Sequence, residues 1–292
     1  MKPSRSTFLE LRGVRHHLRE WGTPGAPQLI LLHGWGDVSA SFQFLNDALE
    51  AKWHVIAPDW RGFGLSARGG GDACWFPDYL GDLDALLAHC SPHRPANLVG
   101  HSMGGNVACL YAGVRPGRVA RLVALDAFGL PDRPPEEAPG RYEKWLNELA
   151  APAGFRSYPD VAAFARRMMR DNPRLDPVRA AFLAGHVTEP DGQGGVRLAA
   201  DAAHRNVYPV LYRRSEAEAC WRRASAPTLW VTQADPAWRR ALGVSDAAYA
   251  AGRACFRNLR EIALDDSGHN MHHDQPERLA RIIEDFVLSQ VS

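Results

Sequence analysis

Short apolar runs that end in turn residues alternate with amphipathic stretches through much of the chain. An unbroken apolar run closed by Gly or Pro is typical of a strand buried on both faces of a sheet. Phe42, Leu45 and Leu49 lie at helical spacing between the first two such runs, and a strand–helix–strand unit indicates a parallel α/β sheet. The pattern predicts six strands, at residues 27–34, 53–60, 96–100, 119–128, 227–235 and 259–269.

The pattern changes after Phe128. The next twelve residues contain four prolines, which a sheet strand does not tolerate. The stretch that follows, up to about Ala224, is rich in Ala, Arg and Glu at helical spacing, and no strand is predicted there. We therefore expect an α/β core domain and an inserted helical cap, with the core at residues 1–128 and 225–292 and the cap at residues 129–224.

The run GHSMGGN at residues 100–106 joins a predicted strand to a predicted helix. In a Gly-x-Ser-x-Gly turn of this kind, small residues at Gly100 and Gly104 permit a sharp bend that lifts the serine above the sheet. The helix N-terminus beneath it supplies backbone N–H groups and a positive dipole end. Ser102 is therefore a candidate nucleophile. A turn with an incidental serine is the alternative that this context disfavours, and the run does not fit the dinucleotide pattern G-x-G-x-x-G.

Composition and charge exclude several classes of protein. The 292 residues are 46% hydrophobic and 23% charged, as in ordinary globular domains, with a net charge of +1. No basic field attracts nucleic acid, and no apolar run approaches the ~20 residues that span a bilayer. The N-terminal stretch lacks the apolar core of a secretory signal. Five scattered cysteines without C-x-x-C spacing favour a reducing, cytoplasmic location. We expect a small-molecule substrate and no nucleic-acid or membrane partner, and the oligomeric state stays unknown.

Four motifs stand at matching places in the predicted strand order: LLHGW at 31–35, APDWRGFGLS at 57–66, GHSMGG at 100–105 and SGHNMHHDQPE at 267–277. With these motifs the chain resembles the α/β-hydrolase superfamily along essentially its whole length. It looks like the capped serine hydrolases of the esterase and C–C hydrolase type. The resemblance implies a mostly parallel eight-stranded sheet flanked by helices, a cap inserted after the sixth strand, and no cofactor.

A serine hydroxyl needs a general base within hydrogen-bonding reach. Among twelve histidines we select His269, because it follows the last predicted strand and a loop could carry it over the sheet edge. By resemblance, the acid that orients this histidine is Asp235, at the end of the strand where most of the family places it. Asp126, at the end of the preceding core strand, is the alternative that a minority uses. The residues before Asp235 lack the glycine that usually precedes this acid.

The resemblance also assigns the oxyanion hole to the backbone amides of Trp35 and Met103. Each such donor typically stabilises the transition state by ~3 to 4 kcal/mol. Candidate substrate-pocket residues are His101, Phe128 and Trp145.

The other histidines raise a competing interpretation. His272 and His273 form an H-x-x-H-H run with His269 that suggests a metal cluster. A helical H-E-x-x-H pattern and nearby cysteines are missing from the sequence, so we predict no metal. His16 and His17 are expected at the surface.

The predicted function is hydrolysis of a carboxylic ester of a small, largely apolar molecule by a Ser-His-Asp triad. A C–C bond hydrolase for ring-cleavage products is the nearest alternative, since the same triad and cap serve it. A non-catalytic ligand receptor on this scaffold is the alternative from another class.

Overall fold

The computed structural model describes residues 1–71 and 74–289. Its strands in chain order are β1 (Ser4–Leu11), β2 (Val14–Gly22), β3 (Gln28–Leu32), β4 (His54–Pro58), β5 (Ala96–His101), β6 (Val119–Leu125), β7 (Thr188–Pro190), β8 (Val196–Leu198), β9 (Thr228–Gln233) and β10 (Leu259–Leu264). Its helices are α1 (Gln43–Ala48), α2 (Phe76–Cys90), α3 (Met103–Val114), α4 (Ala138–Ala150), α5 (Val161–Asp171), α6 (Pro177–Val187), α7 (Arg214–Trp221), α8 (Ala237–Ala241), α9 (Asp246–Ala254), α10 (Met271–Asp274) and α11 (Pro276–Leu288).

Eight of these strands form one sheet with the order β1-β2-β4-β3-β5-β6-β9-β10. The hairpin β1–β2 is antiparallel, and β2 also pairs antiparallel with β4. All the other neighbours in this sheet are parallel. The expected fold class is therefore confirmed, and the carboxyl ends of β3 to β6, β9 and β10 share one edge of the sheet.

Both faces of the sheet are covered by helices. In β3, Ile30 and Leu32 face one apolar cluster, which includes residues of α2, α3 and α7. The alternate residues Leu29 and Leu31 face the second cluster, which includes residues of α1, α10 and α11. Because successive side chains of a strand point to opposite faces, an apolar run such as this one indicates burial on both sides.

The segment between β6 and β9 holds the expected cap helices and a strand pair that the sequence did not predict. Helices α5 and α6 pack together over an apolar cluster that also takes in Val38 and Ala40 of the core. The expectation of a cap without strands is wrong, because β7 and β8 form a short antiparallel pair. Each of the two has only three residues, too few for strand periodicity, and the turn between them (residues 191–195, DGQGG) was the available signal.

Helix α7 lies within residues 129–224, the range expected for the cap, yet it packs with the core. The Cβ of a residue at 113 in α3 would overlap with the carbonyl group of Cys220 in α7, so Gly113 permits this close approach. Trp221 is 1% exposed and lies in the same cluster as Trp230 of β9. We therefore propose that the cap ends before Arg214, and below the word cap denotes residues 129–213. Residues 290–292 at the end of the expected core lie outside the described part of the chain.

The cap is docked onto the loop that follows β4. Gly64 N donates to Ala199 O at 2.8 Å, and Asp201 N donates to Gly62 O at 2.7 Å. His204 Nε2 donates to the carbonyl oxygen of Arg61 at 3.0 Å. The His204 ring also stacks on Phe63 with the ring centroids 3.8 Å apart.

The expectation that His16 and His17 lie at the surface is wrong. Their side chains are 1% and 0% exposed, respectively. His16 Nε2 lies 3.3 Å from Asp82, and His17 Nδ1 donates to Asp59 at 2.8 Å. Buried imidazoles need such partners, and these partners come from segments that are distant in the sequence.

Candidate active site

Ser102 occupies the bend between β5 and α3. Its backbone has φ +50° and ψ −116°, a conformation that residues other than glycine rarely adopt. The Ser102 N–H donates to Leu125 O of the neighbouring strand at 2.9 Å. A Cβ at Gly104 would overlap with the carbonyl oxygen of Leu32, and a Cβ at Gly100 would overlap with Gly104. These overlaps account for the small residues on both sides of the serine.

Asp126 and His269 form a hydrogen-bonded pair at the same edge of the sheet. His269 Nδ1 donates to Asp126 Oδ2 at 2.6 Å. Asp126 is 3% exposed, and the residue before it, Leu125 at the end of β6, accepts the hydrogen bond of the Ser102 amide. Gln233 Nε2 donates to the same carboxylate oxygen at 3.0 Å, which fixes the orientation of Asp126 from β9.

The structure differs from the sequence expectation at the preferred carboxylate. Among the described residues Asp235 makes no hydrogen bond to His269, whereas the alternative, Asp126, makes one. Asp235 is exposed, and its Oδ1 accepts a hydrogen bond from Ala237 N at 2.9 Å at the start of α8. The missing glycine before Asp235 was the available signal. Gln233 was not singled out from the sequence, since a lone glutamine near a strand end carries no pattern.

The neighbours of Ser102 and His269 connect the two residues. His101 Nε2 donates to the carbonyl oxygen of His269 at 2.9 Å, and the two rings lie 4.7 Å apart. On its other side the His269 ring packs against Trp238, with centroids 4.8 Å apart. Within residues 1–71 and 74–289, Ser102 Oγ makes no hydrogen bond to His269. Catalytic hydrogen bonds are often long without substrate and shorten in the Michaelis complex.

The loop after β3 brings its backbone against the serine. A Cβ at Gly34 would lie 3.2 Å from the Cβ of Ser102, so this glycine permits the approach. His33 holds the loop, because its Nδ1 donates to Gly34 O at 2.7 Å and its Nε2 accepts from Trp60 N at 2.9 Å. In the described part of the chain, the amides of Trp35 and Met103 donate no hydrogen bond, so both are free to bind a ligand oxygen.

A cleft of about 270 Å³ opens between the cap helix α5 and the loop after β3. Its apolar lining comes from both sides: Trp35, Phe164, Met168, Leu175, Val187 and Leu198. Of the expected pocket residues, His101 is buried next to Ser102, and Phe128 is buried beside a smaller cavity behind Asp126. Trp145 is half-buried in α4 and is not among the described residues that line the cleft.

Several buried imidazoles lie near the cleft, and one of them, His273, belongs to its lining. Burial lowers the pKa of His101 well below its usual value and lowers the pKa of His273 to about 3. Burial alone would raise the pKa of Asp37, but its hydrogen bond with His272 and the neighbouring imidazoles hold that pKa well below the usual range. Asp37 is therefore a carboxylate close to His101 and His273, two imidazoles whose burial disfavours their charged forms.

Residues 27–276 match the sequence model of a family described as the alpha/beta hydrolase fold. The chain belongs to the alpha/beta hydrolase family. Strands β3 to β6, β9 and β10, the Ser102 bend and the loop that carries His269 all fall within the matched range.

Two curated relatives of this alpha/beta hydrolase are similar over part of its length. A serine hydrolase-like protein of Danio rerio is 36% identical over 122 residues, which are 41% of this chain and 35% of the relative. Epoxide hydrolase A of Mycobacterium tuberculosis is 37% identical over 135 residues, 45% of this chain and 42% of the relative. The matched part of the chain thus spans less than half the length of either relative.

A solved structure, the thioesterase domain from the curacin biosynthetic pathway, superposes on this alpha/beta hydrolase with a TM-score of 0.86. It is 26% identical, and the match covers 96% of this chain and 99% of that one. The structure of E-2-(acetamidomethylene)succinate hydrolase, 23% identical with a TM-score of 0.75, shares the fold over 98% of this chain and 100% of that one. No described helix meets the length and apolarity that a membrane-crossing segment requires.

Proposed function

We propose that this alpha/beta hydrolase is a serine hydrolase that works through an acyl-enzyme, with Ser102 as nucleophile, His269 as base and Asp126 as the acid. The observation that carries the proposal is the Asp126–His269 hydrogen bond of 2.6 Å, which lies at the sheet edge where the bend presents Ser102. A base oriented by a third group is the arrangement that activates a serine hydroxyl.

In the proposed reaction Ser102 Oγ attacks the carbonyl carbon and His269 accepts the hydroxyl proton. Asp126 keeps Nδ1 protonated and stabilises the imidazolium that forms. The free amides of Trp35 and Met103 bind the oxygen that becomes negative. The imidazolium then protonates the leaving group, and a water activated by His269 releases the acid and restores Ser102.

The apolar side chains of the cap–core cleft, among them Trp35, Phe164 and Met168, support a small substrate with an apolar part. The other half of the lining is polar and includes Asp37, Arg167 and Asp171. A carboxylic ester fits this lining and the triad. Hydrolysis of a C–C bond remains the second candidate, because the same residues would serve it. The relative named an epoxide hydrolase suggests epoxide opening as another chemistry. In this superfamily that reaction is typical of enzymes with a carboxylate nucleophile, whereas position 102 of this chain is a serine. A cytoplasmic location stays a prediction.

Labelling with a fluorophosphonate probe tests the nucleophile. We expect the wild type to be labelled and to hydrolyse p-nitrophenyl esters, and Ser102→Ala to lose both properties. Ser225→Ala, which removes an exposed loop hydroxyl, is the matched control and should retain both. Persistent labelling of Ser102→Ala would overturn the proposal, and an unreactive wild type that still binds small ligands would favour a receptor.

A further inference from the structure

Three side chains that the proposed mechanism does not use come together beside His269. Asp37, His101 and His272 each offer one ligand atom, and the three atoms all lie within 4.8 Å of one another. His101 and His272 are 2% and 0% exposed, and Asp37 is half-buried. They come from the loop after β3, the end of β5 and α10, so the sheet edge itself assembles the group.

The hydrogen bond of His101 fixes its tautomer. A carbonyl oxygen can only accept, so His101 Nε2, which lies 2.9 Å from His269 O, must carry the proton. Nδ1 then bears a lone pair, and this atom is buried without a hydrogen-bond partner in the described structure. An imidazole whose one N–H donates to a backbone carbonyl while the other nitrogen is free is the usual state of a metal-ligating histidine.

The surroundings of His272 also indicate a site for a cation. Its Nε2 lies 3.2 Å from Ser41 Oγ and 3.5 Å from Asp37 Oδ2. Ser41 Oγ donates its proton to Asp37 Oδ2 at 2.6 Å, so that carboxylate is held in place. His272 Nδ1 is a second buried ring nitrogen without a partner among the described residues. An unpaired buried acceptor costs free energy that a bound cation would recover.

We propose that Asp37, His101 and one ring nitrogen of His272 bind a divalent transition-metal cation of the Zn²⁺ type. Points within 4.8 Å of one another lie no more than about 2.8 Å from a common centre, so contraction by less than about 1 Å gives the usual Zn–N and Zn–O lengths of about 2.0–2.2 Å. Two nitrogens and one carboxylate oxygen are ligands that Zn²⁺ accepts, with water in the fourth position. Asp37 and the neighbouring His273 line the cleft, which gives the cation an entry path.

The site would regulate the hydrolase, a consequence that rests on the proposed function. A cation on His101 restrains the residue that holds the His269 carbonyl, next to the Ser102 bend. Among the described residues no hydrogen bond joins His269 to Ser102 Oγ, so His269 must approach the serine during turnover. A cation that restrains His101 opposes this approach and therefore lowers turnover reversibly.

Cobalt(II) is the probe that tests binding independently of activity. We expect one Co²⁺ per chain, with visible absorption of a low-coordinate site, and displacement by Zn²⁺ in calorimetry. Asp37→Asn and His272→Gln, which nearly keep side-chain volume, should each weaken binding by at least tenfold, since loss of a group that merely supports a ligand costs about 10- to 100-fold. His93→Gln, at an exposed position, is the control and should bind as the wild type does.

Absence of Co²⁺ and Zn²⁺ binding by the wild type, or unchanged binding by both folded variants, would overturn the proposal. Circular dichroism shows whether each variant folds. If one of them does not fold, the metal affinity of the other variant tests the proposal. Ester hydrolysis is then measured with and without Zn²⁺, and the rate of each protein with Zn²⁺ is compared with the rate of the same protein without metal. We expect at least tenfold inhibition of the wild type that a chelator reverses; binding without inhibition would refute the regulatory role. A wild type without hydrolase activity would refute the proposed function while the binding result still stands.

Discussion

Asp126 combines a strained backbone with a fixed side chain. Its φ of +47° lies in the left-handed region, which aspartate and asparagine tolerate better than most residues. Its backbone N–H donates to Val231 O at 2.8 Å, while Oδ2 accepts from both His269 and Gln233. The residue is thus held from two sides, and its replacement by asparagine preserves the backbone conformation while it removes the charge.

Asp126→Asn is expected to lower kcat by about 10³- to 10⁴-fold, because an amide neither holds the required tautomer of His269 nor stabilises its imidazolium. The matched control, Asp235→Asn, changes an exposed carboxylate and should remain within about threefold of the wild type. Steady-state kinetics with a p-nitrophenyl ester measures both. A large loss in Asp235→Asn with Asp126→Asn nearly normal would reassign the acid.

The candidates Ser102, His269 and the two amides could be selected from the sequence because each lies in a local motif, and their catalytic roles stay proposals. The choice of acid could not be made locally, since it depends on which strand end faces His269. The group of Asp37, His101 and His272 was missed because its members are far apart in the chain and only the sheet brings them together.

Among the elements, α3 has its N-terminus packed tightly against the sheet. Gly104 places the first turn of α3 directly against the carbonyl group of Leu32 in β3, where the obstructing atoms are backbone and cannot rotate away. The bend at Ser102 therefore depends on this contact between a helix and a strand.

Gly104→Ala is expected to lower the free energy of unfolding by about 3 kcal/mol, the upper part of the range for overpacked sites. Gly140→Ala in α4 is the matched control, because no atom lies within 4 Å of the added Cβ. The higher helix propensity of alanine should leave its stability equal or higher by up to about 1 kcal/mol. Urea unfolding followed by circular dichroism measures both, and equal stabilities for the two variants would contradict the argument.

Elements with a continuous apolar pattern were predictable, and those without one were not. Strands β3 to β6 and β9 follow from their buried runs. Strand β10 was also predicted, although most of its residues are partly or fully exposed. In β2 the buried positions include His16 and His17, whose partners Asp82 and Asp59 come from other segments. Because these buried residues are polar, the hydrophobic pattern predicted no strand there. Only the family resemblance implied eight strands.

For the whole molecule, the contact between cap and core is sensitive to acid. Burial lowers the pKa of His204 to about 4, although nearby Asp201 and the Arg61 carbonyl favour its charged form. In the unfolded chain a histidine pKa is about 6.5. Between these values the unfolded state binds more protons than the folded state, so stability falls as the pH decreases from 6.5 to 4.

The urea midpoint is therefore expected to fall from pH 7 to pH 4.5, with His204 contributing roughly 2 kcal/mol of the loss. His204→Gln keeps a polar side chain that does not titrate. Its midpoint at pH 7 should be lower than that of the wild type, because the stacking on Phe63 is weakened, but its decline with acid should be shallower. Parallel curves for the two proteins would show that His204 does not carry the effect.

The placement of α7 has an evolutionary consequence. Strands β6 and β9 are parallel neighbours, with Leu125 opposite Val231, and α7 already provides the helical return between them on the core face. The residues between Phe128 and Arg214 are thus an insertion in this connection, and the sheet does not need them to join β6 to β9. Selection can therefore lengthen, shorten or exchange this inserted segment without shifting the register of any strand. New substrate preferences can arise in this way while the residues at the sheet edge stay unchanged.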